Sequence, residues 1–146
     1  MRSQYTVDDV ALLWLNDQSK ALEVARALQS RRSGFHIEKV LVDEELRIQF
    51  GDPLTNSRTP DVIAIPTLGT IWGVPAGTKF DHGGFNVDDT HVALLVSDPS
   101  RFRRKHAIHV PVSTTQVAAT ILKALHIPPQ QDTGLKIAGT PVLPLF

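Results

Sequence analysis

The chain has no cysteine and a single methionine. Without cysteine there is no disulfide and no thiolate ligand, so any metal here is held by imidazole or carboxylate. That absence does not fix the compartment. Long hydrophobic runs are missing too. The longest, residues 10–15 and 92–96, fall far short of the ~20 apolar residues of a spanning helix. There is no excess of one charge: fifteen basic residues offset fifteen acidic ones. Near-neutrality argues against a general nucleic-acid or membrane-surface binder, which relies on excess positive charge. Met1-Arg2-Ser3-Gln4-Tyr5 has no apolar region behind its one charge, so no secretory signal is expected there. A product expressed as given is expected in the cytoplasm.

Several chemical signatures are missing as well. There is no Gly-x-Ser-x-Gly elbow. There is no phosphate-cradling Gly-x-x-x-x-Gly-Lys loop, no dinucleotide fingerprint and no His-Glu-x-x-His. Asp81, Asn86, Asp88 and Asp89 cluster, but their spacing misses the calcium-loop pattern.

What is present suits one domain over residues 1–146, with 42% apolar and 21% charged residues. Neither a repeat nor an internal boundary is visible. Residues 10–15 form an unbroken apolar run, as in strands covered on both faces of a parallel sheet. Asn16-Asp17 offers a helix cap, and Ala21, Leu22, Ala25 and Leu28 follow at helical spacing. Trp14, inside the run, reads as core. Residues 35–50 suggest a short helix and a short strand, and residues 51–60 have loop composition. Residues 61–66 and 91–96 read as two further strands, with His91 at the start of the second. Turns fill 67–80, where Trp72 is open to either a packing or a stacking role. Ser113-Thr114-Thr115-Gln116 fits a capping box ahead of a helix that Pro128-Pro129 stops. Capping, rather than nucleophilic chemistry, is the reading for Thr114 and Thr115. The tail to Phe146 is expected to be irregular. Strands alternating with helices indicate an α/β fold with a small, mostly parallel sheet and flanking helices.

One segment carries chemical information: Lys79-Phe80-Asp81-His82-Gly83-Gly84-Phe85-Asn86-Val87-Asp88-Asp89-Thr90-His91. Two glycines behind a histidine let the backbone turn sharply and let another group approach closely. Imidazole is a common zinc ligand, but a zinc site needs three or four ligands and one imidazole supplies one. Asp88 and Asp89 read as loop caps. Arg101, Arg103, Arg104, Lys105, His106 and His109 form a basic cluster that reads as a solvated surface loop rather than an anion contact.

The order of motifs resembles one family. His82-Gly83-Gly84-Phe85, then Asp88-Asp89-Thr90-His91-Val92-Ala93-Leu94-Leu95-Val96-Ser97, looks like the stretch around the last metal-binding histidine of alkaline-phosphatase-like proteins. The branch it resembles most is the type I phosphodiesterases and nucleotide pyrophosphatases. Asp9–Gln18, Asp52-Pro53 with Asn56–Ile63, Thr115–Leu125 and Thr140–Pro144 are similar to segments of that branch in the same order. The likeness runs from about Asp8 to the end.

The resemblance implies a partial alkaline-phosphatase-like domain and metal-dependent hydrolysis of phosphoesters, phosphodiesters or nucleotide pyrophosphates. Such hydrolases hold two divalent metals, usually zinc, roughly 4 Å apart, and use a threonine or serine nucleophile. On that likeness His82 is a metal ligand, shaped by Gly83 and Gly84. Asp81 stands where a glutamate is more usual. Asp81-His82-Gly83 also matches a second motif of the family in which both side chains bind metal, but the flanks favour the first assignment and leave Asp81 the weaker candidate. The family's nucleophile and other ligands lie upstream of the matched region, so no catalytic residue and at most a partial zinc site are expected here. The chain is then expected to be inactive alone. It would work with a separately encoded N-terminal half, or serve as a self-associating, non-catalytic interaction module.

Overall fold

Only Asp8, Asp9 and Val10 separate the strands Gln4–Val7 (β1) and Ala11–Trp14 (β2). That is too few residues for a crossover, so the chain folds straight back and the two strands pair antiparallel, Val7 opposite Ala11 and Gln4 opposite Trp14. The computed structural model describes residues 4–102, 104 and 107–146. The chain forms two units, Met1–Val92 and Ala93–Phe146.

In the first unit β2 leads through a 3₁₀ turn at Gln18–Lys20, capped by the Asp17 carboxylate on the Ser19 amide, into the helix Ala21–Ser30 (α1). Ala21, Val24, Ala25 and Leu28 face the sheet, and Leu22 points outward. A short helix, Arg32–Phe35 (α2), precedes the strand Ile37–Val42 (β3). The helix Asp43–Phe50 (α3) follows at once, its first turn acidic as the helix dipole favours. The strand Val62–Pro66 (β4) then inserts between β2 and β3 and runs antiparallel to both. The strand order is β1-β2-β4-β3.

The sheet is therefore antiparallel at every pairing, not mostly parallel as the apolar runs suggest. Burial on two faces, not strand direction, is what those runs encode. Val62 and Ala64 pack with Val40 and α1 on one face, while Ile63 packs with Leu41, Val10 and Leu46 of α3 on the other. Fully burying each of these valine, leucine and isoleucine side chains is worth about 1.5–3 kcal/mol. β2 and β3 do share a direction across the α1 crossover, but β4 lies between them. Trp14 is half-buried and joins neither core cluster.

In the second unit the helix Gln116–Ala124 (α5) buries Ala119 and Thr120. The Gln116 side chain accepts from the Ser113 amide at 2.8 Å, one half of the expected capping box, and the Ser113 hydroxyl accepts from Thr115 instead of from Gln116. A helix at Thr133–Ala138 (α6) occupies the expected irregular tail, capped by Asp132 on the Leu135 amide at 2.8 Å. Residues 91–96 form no strand: Leu95 is 92% exposed. High β propensity alone does not order a segment that has no neighbouring strand to bond. Among the described residues no helix is long and apolar enough to cross a membrane.

Candidate functional site

Three anchors hold the His82 loop within the first unit. Gly84 lies flat on the β1–β2 turn: a Cβ there would stand 3.0 Å from both the Cβ and the carbonyl oxygen of Asp9, and would collide with Asp89 Oδ2. Phe85 stacks on Phe50 at the end of α3, with ring centroids 5.5 Å apart and planes 17° apart. Asn86 Nδ2 donates to the carbonyl of Pro66 at 3.1 Å, which fixes the loop to the end of β4. A one-turn helix at Val87–Thr90 (α4) closes the segment, and His91 ends it by donating its amide to Val87 at 2.8 Å.

The two glycines serve different needs. Gly84 is buried, and its missing side chain permits the close approach. Gly83 has φ +109° with open space around it, a backbone conformation that L side chains rarely adopt. The loop therefore presents His82 to solvent, directly ahead of a fixed bend. Asp81 Oδ1 accepts the His82 amide at 2.9 Å.

The fold brings the loop against two acidic residues whose role the sequence reading missed. A hydrogen bond with the Asp81 side chain, then burial and the Asp81 charge, raise the Asp8 carboxyl above its ordinary 3.8. Burial, then the charges of Asp89, Asp81 and Asp8, raise Asp9, while His82 pulls it the other way. Asp8 Oδ1 is buried with no hydrogen-bond partner. The signal was the Asp8-Asp9 pair itself, two charges set directly against an apolar strand.

Among the described residues, no three His, Cys, Asp or Glu side chains are already gathered as a metal cage. Asp88 is exposed, and Asp89 lies against Gly84 instead of capping the loop. Trp72 packs on the α1 side of the sheet, and its Nε1–H donates to the carbonyl of Phe35 at 2.9 Å. In the second unit Arg101 sits 4.7 Å over the Phe146 ring, and Arg104 and His109 are exposed. Arg103, Lys105 and His106 of the basic cluster lie outside the described residues.

No family model, curated protein or solved structure matches the chain significantly.

Proposed function

We propose that the chain contributes one metal ligand, His82, to an alkaline-phosphatase-like phosphoesterase whose nucleophile and other ligands come from polypeptide outside residues 1–146. The observation that carries this reading is the anchored Asp81-His82-Gly83-Gly84 loop, with its imidazole exposed at a fixed bend. An exposed histidine on a braced loop is available to a metal whose other ligands arrive from elsewhere. The ordered likeness of the flanking segments to type I phosphodiesterases and nucleotide pyrophosphatases supplies the chemistry. When bound, zinc would lower the nucleophile's pKa and stabilise the leaving oxygen. The chain's own part is to present the His82 imidazole on a loop whose Gly84 backbone is seated against the β1–β2 turn.

The test is complementation. The purified chain is mixed with a separately produced N-terminal half carrying a threonine nucleophile and an Asp-His ligand pair, and zinc-dependent hydrolysis of bis-p-nitrophenyl phosphate is followed. Activity should appear only in the mixture and fall by about 10²-fold or more with His82→Ala, as for loss of a catalytic-metal ligand. Activity in the mixture that is indifferent to His82→Ala would refute the assignment.

A second reading, a non-catalytic assembly module, rests on surface apolarity. Leu95, Phe80 and Ile137 are each more than four-fifths exposed, and exposed apolar groups of this kind mark association surfaces when they are contiguous. Sedimentation over a range of concentrations tests it, and a monomer at every concentration would count against it.

A further inference from the structure

We propose that the groove between α1 and the β1–β2 hairpin is the docking site for one amphipathic helix of a partner protein, apolar on the face it buries and acidic on the flank beside Arg31 and Arg32. α1 packs on β3 and β4. Over β1 and β2 the same face of the sheet is open, and a groove of about 360 Å³ runs there. Tyr5, Val7, Ala11 and Leu13 line it from the strands, Leu28 from α1, and Phe35 and Trp72 complete the lining. Tyr5 stands opposite Leu13 and Val7 opposite Ala11, so all four project to one face.

Size and polarity select the occupant. Two neighbouring strands span about 10 Å, which is about the diameter of one helix with its side chains. The Trp72 indole N–H is already engaged by the Phe35 carbonyl at 2.9 Å. The groove therefore rewards apolar contact rather than hydrogen bonding. An extended segment laid across such a floor would bring unpaired backbone groups against carbon. A helix arrives with its own backbone groups paired and needs only an apolar stripe.

Charge on the rim selects the flank. Arg31 follows Leu28 by three residues and precedes Phe35 by four, and Arg32 follows Leu28 by four and precedes Phe35 by three. Backbone bonds from Arg31 to the Leu28 carbonyl and from Phe35 to the Arg31 carbonyl carry the helical turn through this stretch, so both arginines stand one turn from groove-lining residues. Both are exposed. The ion pairs of the described residues join Lys20, Lys39, Arg47 and Arg101 to carboxylates and leave these two arginines out. Two uncompensated guanidinium groups beside an apolar groove complement carboxylates on the helix that fills it. The groove uses neither His82 nor the exposed Leu95, Phe80 and Ile137, so it stands or falls separately from both functional readings.

The probe is a labelled synthetic helix of about four turns, with leucines at i, i+3, i+7 and i+10 and glutamates on one flank, titrated with the full chain and followed by fluorescence anisotropy. Saturable binding is expected. Tyr5→Ala with Phe35→Ala should weaken it about 10-fold or more; these positions are 73% and 52% exposed, so the fold does not depend on them. Arg31→Glu with Arg32→Glu leaves the apolar lining intact. It should weaken the glutamate-flanked peptide and admit a lysine-flanked one that the parent chain binds poorly. No binding, binding indifferent to Tyr5 and Phe35, or equal binding of the two peptides by the parent would each overturn the proposal. So would sedimentation showing a dimer that Tyr5→Ala with Phe35→Ala dissociates, since a second copy would then fill the groove.

Discussion

Gly84 and Asp9 touch across the turn: a Cβ on Gly84 would come within 3.0 Å of both the Cβ and the carbonyl oxygen of Asp9. The contact joins the loop that carries His82 to the tightest reversal in the sheet. Asp89, the third party, can rotate its carboxylate away, but the Asp9 backbone is fixed by strand pairing on either side. Gly84→Ala should therefore destabilise the chain by about 1–3 kcal/mol, the range for overpacking a fitted site. The shift in urea midpoint at constant slope reads it. An unchanged midpoint would mean that the loop does not rest on the turn.

Asp9 makes stability depend on pH in a specific direction. Its folded carboxyl stands above the ordinary 3.8 because burial and three neighbouring carboxylates disfavour its charge. The folded state then binds the proton more tightly than the unfolded state. Asp9's contribution to stability is greatest at low pH and falls as pH rises from 3.8 through the raised value. Asp8 acts in the same sense, whereas Asp17 and Asp98, held low chiefly by hydrogen bonds from Ser19 and Ser100, act in the opposite one. Asp9→Asn isolates the effect. The variant's stability relative to the parent should grow with pH across that window and level off above it. Urea unfolding at a series of pH values checks this, and a difference that does not vary with pH would contradict it.

Thr120 is the hinge pin of the second unit's core. It is buried, its hydroxyl donates to the Gln116 carbonyl at 2.7 Å, and it accepts the Leu143 amide at 2.8 Å. Thr120→Val keeps the shape and leaves the Leu143 amide unpaired. The expected loss is about 1–3 kcal/mol, while Thr120→Ser, which keeps the hydroxyl, should lose less. Chemical denaturation of both variants tests the ranking.

Local pattern carried much of the fold. The apolar runs around Leu12 and Ile63, the helical spacing through Ala25 and the loop after Gly51 all appear where the residues place them. Strand direction did not follow, because a run buried on both faces looks the same whether its neighbours are parallel or antiparallel. The Gln4–Val7 strand is exposed along its length, so it leaves no alternating apolar trace. At the site, His82 and its glycines were legible as a loop, but their contact with Asp8 and Asp9 was not. That meeting depends on the loop reaching back to the β1–β2 turn, a long-range event with no local signature.

The chain's own chemistry is tested most directly by steady-state hydrolysis of bis-p-nitrophenyl phosphate by the purified polypeptide alone, with zinc added and with zinc chelated. The account predicts no zinc-dependent turnover above the buffer rate, because one exposed imidazole does not generate an attacking oxygen. Robust zinc-dependent turnover that disappears with His82→Ala would contradict it.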